Sequence, residues 1–371
     1  MTTTHPPGHP AHSVPEPYPF LLKPEFHGRV WGGRRLAEVM HAQLPEGPVG
    51  ESWSMGNDNH VVNGPLTGQT LGALIAANPH GMLGATVLAS GRQDLPLLFK
   101  ILDANDLLSI QVHPDDTYAR NVEKVDFGKT EAWYVIDAQP GAYVIHGFSR
   151  PVTPDEVRAG LADGSIVNLL RKVPLQAGDT FLVPAGTVHA IGGGLLLGEI
   201  QENSDTTYRL YDWGRPRELH IDKSLAVMQA GPPGFGPSQG LKVEVKGGEI
   251  TYLCACRYFA YQLLAVHGGM ELDTMGHSFH VLFCQAGEGV VRYSGGAVPF
   301  SAGQTLFIPS AVRDYEIESA DARVLCSFVP DVRADILTPL QEAGYDAAQI
   351  GALGGPPNNE LARLIDPACN A

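Results

Sequence analysis

Beyond residue 20 the chain alternates short apolar runs with Gly- and Pro-rich breaks, a strand rhythm rather than a helical one. The runs 95–104 (LPLLFKILDA), 107–113 (LLSIQVH), 132–138 (AWYVIDA) and 142–148 (AYVIHGF) are rich in β-branched and aromatic residues and read as strands. Helical spacing appears at 70–79 behind Thr70, at 153–173 behind Pro154 and two acids, and at 222–229. The stretch 230–240, AGPPGFGPSQG, is too dense in Pro and Gly for a regular element and reads as a linker.

One strand–turn frame occurs twice. QAGDTFLVPAGTVHAI (176–191) and SAGQTLFIPSAVRDYEI (301–317) share Ala-Gly-x-Thr-(Phe/Leu)-x-(Val/Ile)-Pro, and Gly178 and Pro184 stand 125 residues before Gly303 and Pro309. Upstream, AWYVIDAQPG is echoed by FHVLFCQAGEG at an offset near 147, so the first copy carries about 22 extra residues, the length of the helical segment 151–172. The first copy fits Gly-x5-Pro-x-Gly-x2-His over 178–189 and resembles the second motif of the cupin β-barrels. In that frame Gly178 turns a hairpin, Pro184 and Gly186 make a corner, and His189 points inward. The second copy has Ser310, Ala311 and Asp314 where Ala185, Gly186 and His189 stand, so a metal is not expected there, and His277 and His280 read as surface or packing residues.

The expected fold is therefore mainly β: two cupin, jelly-roll-like barrels in one chain, with a small helical insertion and a short helical tail. The expected organisation is a disordered lead-in (1–20), a catalytic barrel (21–229) with helical segments near 70–79 and 151–172, a linker (230–240), a degenerate barrel (241–330) and a tail (331–371) able to form two small helices. The chain has 371 residues, enough for large cores, and its 43 glycines and 29 prolines suit a turn-rich β fold.

Forty acidic against 25 basic residues leave a formal charge of −15, which argues against nucleic acid and anionic membranes as partners. A phosphorylated small molecule is still admissible, because a pocket needs only a few local cations. Five cysteines at 254, 256, 284, 326 and 369 form no disulfide framework and read as reduced thiols of a cytoplasmic protein. No apolar run reaches membrane-spanning length, and the N-terminus (MTTTHPPGHPAHSVPEPYP) lacks a signal-peptide pattern. His5, His9 and His12 read as part of a Pro-rich lead-in. A monomer is the default expectation, since one chain supplies both barrels.

Candidate chemistry concentrates in the first copy. Gln111 and His113 alternate across Val112 and face the same side of one strand, Glu131 opens the next strand, and His189 closes the cupin motif. Two imidazoles, one carboxylate and one amide oxygen suit a metal with open positions for substrate; the ligand types alone allow Zn, Fe, Mn or Co.

SIQVHPDD (109–116), GKTEAWY (128–134), PAGTVHAIGGG (184–194) and EIQENSDTTYRLYD (199–212) resemble the type I phosphomannose isomerases, most closely the short bacterial form. The likeness extends to WGG (31–33), GESW (50–53), VNGPLTGQTLGAL (62–74) and LHIDKSLAV (219–227), and spans roughly residues 20–330. It implies one zinc ion per chain on Gln111, His113, Glu131 and His189, and interconversion of mannose 6-phosphate and fructose 6-phosphate through a cis-enediolate. It further implies an active-site arginine at Arg209, pocket lysines at Lys100 and Lys129, a phosphate contact at Ser109 and an acidic pocket residue at Glu199. Arg209, Lys129 and Glu199 are taken as catalytic candidates, with Arg215 added to Lys100 and Ser109 on the substrate side. Many relatives carry His-Lys-Pro-Glu where this chain has Gly128-Lys129-Thr130-Glu131, so any role of that histidine is absent here unless another residue takes it over.

For such chemistry Lys129, on the same face as Glu131, is a candidate base if neighbouring positive charge lowers its pKa. Arg209 would stabilise developing negative charge, and Lys100 or Arg215 would hold the phosphate. Blander readings stand beside these: Arg209 and Arg215 salt-bridged to Asp205 and Asp212, Glu199 stabilising a turn, Tyr208 and Tyr211 filling the barrel mouth. Two other functions fit a double cupin, an iron-dependent dioxygenase and a non-enzymatic sugar-binding protein. The amide donor and nearby lysines disfavour the first, and the intact donor set disfavours the second.

Overall fold

The structure is a computed structural model that describes residues 16–357 and 359–365. Its regular elements are mainly antiparallel strands, arranged in three sheets. The first two sheets build the N-terminal half. Six strands run in the order Glu25–Gly33, Val49–Met55, Leu97–Ala104, Leu195–Glu202, Glu131–Ala138 and Thr180–Val183. Five more run in the order Tyr208–Tyr211, Ile110–Val112, His189–Ile191, Tyr143–Phe148 and Leu170–Pro174.

The two sheets pack face to face on Leu102, Trp133, Val135, Val144, Phe181 and Leu197. The strand pairing leaves both sheets open. The expected closed barrels are thus corrected to sheets stacked as a sandwich, whose edges end at different neighbours rather than on one another.

Strand alternation sorts residues between two cores. On Leu97–Ala104 the odd positions Phe99 and Ile101 join a core shared with the C-terminal half, whereas Leu102 and Ala104 face the five-stranded sheet. Both faces are covered, which is why this run reads as continuously apolar. The third sheet, of nine strands, holds the second copy of the frame. Gly178 and Gly303 both adopt positive φ (91° and 83°), as the repeated hairpin turn requires.

Helices form where caps stop them. Thr70 accepts from the Ala73 amide at the head of Leu71–Ala77. Thr153 and Glu156 form a capping box on Pro154–Asp163. That helix ends at Gly164 (φ 80°), so the expected helical segment 151–172 is corrected: its last residues form the strand Leu170–Pro174, paired with Tyr143–Phe148. Helix Ile221–Val227 follows the third helical pattern.

The lead-in expected to residue 20 also needs correction. Tyr18 and Phe20 are buried, and Phe20–Leu22 pairs with Thr305–Phe307 of the nine-stranded sheet. Residues 1–15, with His5, His9 and His12, lie outside the described residues, as does Cys369. The other four cysteines are free thiols. Segment 230–240 carries no named element, yet it is pinned: Ser238 bridges to Thr180, and Phe235 packs edge-on against His146. The tail forms short helices, among them Thr338–Glu342, Ala347–Ala352 and Glu360–Ile365, whose Leu340, Ile350 and Leu361 enter the C-terminal core. Among the described residues no helix is long and apolar enough to cross a membrane.

Candidate metal centre

The two facing sheets bring their donors to one point. His189 and Gln111 are direct cross-strand partners on the five-stranded sheet, His113 follows one strand end, and Glu131 opens a strand of the opposite sheet. One ligand atom each from His113, Glu131 and His189 lies within 4.8 Å of the others, and all three residues are buried.

His189 Nε2 stands 3.1 Å from Glu131 Oε1, and His113 Nε2 stands 3.6 Å from Oε2. Each Nδ1 is turned away to a backbone carbonyl, Thr206 O for His113 and Thr187 O for His189, both at 2.9 Å. An Nδ1–H donated to a carbonyl leaves Nε2 with its lone pair, the tautomer a metal requires. Neither oxygen of Glu131 has a well-aligned hydrogen bond, although both are buried. Lys129 meets Oε2, but Oε1 is left buried against the lone pair of His189 Nε2 without a donor, so this donor set fits a divalent metal. The Gln111 amide lies 3.2 Å from His189 Nε2, so turning the amide about presents its oxygen to the same point.

A cavity of about 520 Å³ lies beside this group, bordered on its side by Gln111 and Lys129 and lined also by Lys100, Ser109, Glu199 and Arg209, among others. Lys129 Nζ sits 2.7 Å from Glu131 Oε2 and 3.3 Å from His113 Nε2. Burial acts to lower the Lys129 pKa, but Glu131 and Glu199 outweigh it and raise it. Its protein neighbours therefore keep it a cation, and the lowering expected of a nearby zinc ion would act against them. Burial likewise acts to raise the Glu131 carboxyl, and Lys129 with the two histidines overrides it, holding the group well below the carboxylate range. Burial, then Lys129, push the His113 imidazole well down.

Lys100 Nζ, deep in an apolar strand, is held by Gln201 Oε1 (2.7 Å) and Glu199 (3.3 Å) and lies over the Trp53 ring. Glu199 also accepts from Trp133 Nε1 at 2.9 Å, so it belongs to the cavity floor, not to a turn. A larger cavity, about 960 Å³ beside Tyr18 and Tyr293, has no His, Lys or Arg in its lining.

Relatives of known name agree with this geometry. Residues 20–140 match the family model "Phosphomannose isomerase type I, catalytic domain", and residues 249–329 match "Mannose-6-phosphate isomerase, cupin domain". The chain is 35% identical to the mannose-6-phosphate isomerase of Streptococcus mutans over 319 residues, 83% of this chain and 98% of that protein. The chain belongs to the type I phosphomannose isomerase family.

Other members support the same placement. Identity with the mannose-6-phosphate isomerase ManA of Bacillus subtilis is 38% over 311 residues, 81% of this chain and 96% of that protein. The crystal structure of the mannose 6-phosphate isomerase from Bacillus subtilis superposes with a TM-score of 0.76 at 30% identity, covering 83% of this chain and 99% of that one.

Of the residues singled out from the family likeness, the cavity gathers all but one of those expected on substrate. Arg209 lies on its wall, with Nη1 on Glu218 O (2.8 Å) and a buried Nε lacking a partner. Arg215 does not reach it. Its guanidinium turns to Asp106, Asp212 and the Leu107 carbonyl and lines a different, smaller cavity, apart from the other residues expected on substrate. Arg217 takes that position, clamped by Asp212 through two bonds of 2.6 and 2.7 Å.

Sequence reasoning also missed the opposite wall, His27, Arg29, Glu51 and Trp53. Arg29 binds Glu51 bidentately at 2.9 Å, and Trp53 Nε1 adds a bond at 2.8 Å. Burial alone would raise the Glu51 carboxyl, but Lys100, Arg29 and these bonds lower it to about 2. GESW (50–53) carried that signal, as a carboxylate two residues from a tryptophan on one strand face. In the second copy His280 is buried, bonded to Tyr315 Oη at 2.7 Å, and serves packing.

Proposed function

We propose that this chain interconverts mannose 6-phosphate and fructose 6-phosphate, with a single zinc ion held by Gln111, His113, Glu131 and His189. One observation carries the reading: the buried group His113, Glu131 and His189 lies directly behind a cavity lined by Gln111, Lys100, Lys129, Arg209 and Arg217, with Lys129 touching Glu131 and Gln111 paired with His189. A bound zinc would supply Lewis-acid polarisation of the sugar's C1 and C2 oxygens.

The chain's own residues divide the remaining work. Isomerisation moves a proton between adjacent carbons and develops negative charge on their oxygens. Arg209, with its unpartnered Nε, is the donor free to meet that charge. Lys129 is the proton-bearing group nearest the metal donors, and Glu199, fixed by Trp133 and Lys100, is the carboxylate that faces the same space. A phosphate dianion matches the cations that line the cavity, with Arg217 in the place first given to Arg215 and with Ser109 as a hydroxyl donor.

A coupled isomerase assay on mannose 6-phosphate, with and without chelator, tests this. Activity should vanish on chelation and return with zinc, and Arg209→Ala should lower kcat by about 10²–10³-fold, as removal of one charge-stabilising donor does elsewhere. Full activity in chelator, or in Arg209→Ala, would refute the assignment.

A further inference from the structure

Behind the metal donors lies a buried carboxyl pair that the chemistry above does not use. Glu202 ends the strand Leu195–Glu202 and points to the face opposite Glu199 and Gln201. It is 1% exposed; its Oε1 accepts from the Thr130 amide at 2.9 Å, and its own amide donates to Thr130 O at 3.0 Å. Asp116, also buried, accepts from the Gly128 amide at 2.8 Å. The two carboxyls thus lie side by side on one backbone stretch, residues 128–130, and the buried Glu202 Oε2 has no donor.

Two buried carboxylates in contact cannot both stay ionised, and a single proton between them satisfies the orphaned oxygen. The cations sit on the Asp116 side, Arg92 at 3.2 Å and Arg120 at 3.5 Å, so the proton belongs on Glu202. Burial, then the Asp116 charge, push the Glu202 carboxyl up to about 8, with Arg92 opposing. From the C-terminal half, Cys256 and Tyr258 lie within the field of Glu202, and Tyr258 and Arg257 within that of Asp116.

We propose that Glu202, as a neutral carboxylic acid bonded to Asp116, is a positioning residue: the pair grips the backbone of Gly128 and Thr130 and thereby sets Lys129 and Glu131 against the cavity. The absence of a side chain at 128 belongs to the same device, since a Cβ there would meet the backbone of residues 114–116. The role for Glu202 rests on reading His113, Glu131 and His189 as the metal group.

The test compares Glu202→Gln, which keeps an acceptor for Thr130 and a donor for Asp116, with Glu202→Met, which keeps only bulk. In the metal-loaded enzyme Glu202→Gln should hold kcat within about twofold, while Glu202→Met should lower kcat or metal affinity by about 10–100-fold at unchanged KM. In the cobalt-substituted protein the visible ligand-field spectrum should shift only in Glu202→Met. Infrared spectra of the wild type at neutral pH should show a protonated-carboxyl band that is absent from Glu202→Gln and fades above about pH 8.

A missing band overturns the proposal. So does a Met variant with wild-type kcat and cobalt spectrum, or a Gln variant as impaired as Met. If Glu202→Met does not fold, the infrared comparison of wild type and Glu202→Gln decides. The infrared and cobalt readings need no sugar, so failure of the isomerase reading would be seen separately.

Discussion

Gly128→Ala tests how tightly the start of the Glu131 strand is seated. An added Cβ would lie 2.5 Å from Asp115 C and from Asp116 N, and 2.8 Å from Pro114 O. All three are backbone atoms, so no flexible side chain can yield. Relief means moving residues 128–130 away from 114–116, and two bonds resist this: Gly128 N to Asp116 Oδ1 (2.8 Å) and Lys129 N to Pro114 O (3.0 Å).

Overpacking of this kind costs about 1–3 kcal/mol. Loss of a bond to a charged acceptor costs about 1.5–3 kcal/mol. The two overlap, so a loss of about 2–4 kcal/mol is expected rather than their full sum. At about 2–4 °C per kcal/mol for a unit of this size, the corresponding transition should fall by roughly 5–15 °C.

Scanning calorimetry is the suitable assay, because it resolves the N-terminal transition if the two halves unfold separately. Activity measured well below that transition reports the second consequence. A displacement of Lys129 and Glu131 near 1 Å should cost on the order of 10²-fold in kcat. An alanine variant that melts within about 1 °C of wild type, with unchanged kcat, would refute the packing argument. Gly128→His should do worse than alanine, since its ring must pass the same backbone.

Two further outcomes follow from the cavity wall and the N-terminal strand. The Glu51 pKa is depressed, so its contribution is present above about 4.5 and lost as pH falls through about 2. Glu51→Gln should therefore destabilise by about 2–3 kcal/mol at pH 7, and the gap should narrow steadily in urea melts below pH 4.5; a pH-independent gap would contradict the ion-pair account. Phe20→Ala should cost about 3–5 kcal/mol in denaturant titrations, because Phe20 is fully buried, edge-on to Tyr18 and stacked on Phe307; a loss under about 1 kcal/mol would mean the N-terminal strand is dispensable.

Local pattern was enough to find the donors but not the walls. Gln111 and His113 were legible because strand alternation places i and i+2 on one face, and His189 because a Gly-Pro-Gly corner sets its direction. Arginine placement failed for a local reason. The strand Tyr208–Tyr211 shifts register between Arg209 and Tyr211 and then leaves the sheet, so alternation no longer says which of Arg215 and Arg217 faces inward. Asp212 settles it by gripping Arg217 bidentately, a choice that depends on where Asp106 and the Leu107 carbonyl hold Arg215. Arg29 and the placement of Glu51 went unread for a longer-range reason: their strands reach the cavity by pairing with each other and, through Val49–Met55, with Leu97–Ala104. The Phe20–Leu22 strand pairs some 285 residues away, and partner choice at that distance leaves no periodic trace.

A degenerate second copy of the frame raises the question of why the chain keeps it, and the shared core answers. Three strands of the six-stranded sheet that carry site residues have their other face in that core: Phe99 and Ile101 behind Lys100, Ala132 and Tyr134 behind Glu131, Leu196 and Ile200 behind Glu199. Against them pack Leu253, Tyr261, Phe283 and Leu325 of the nine-stranded sheet. The approach is close at Gly198, where an added Cβ would fall 2.6 Å from Tyr261 Oη. Exposing that face would remove the packing that keeps Lys100, Glu131 and Glu199 in register, at about 25 cal/mol per Å² of apolar surface uncovered. The C-terminal half needs no chemistry of its own to be required by the site. It serves as the rigid backing on which a buried, charge-dense cavity can be held to the fraction of an ångström that isomerisation demands.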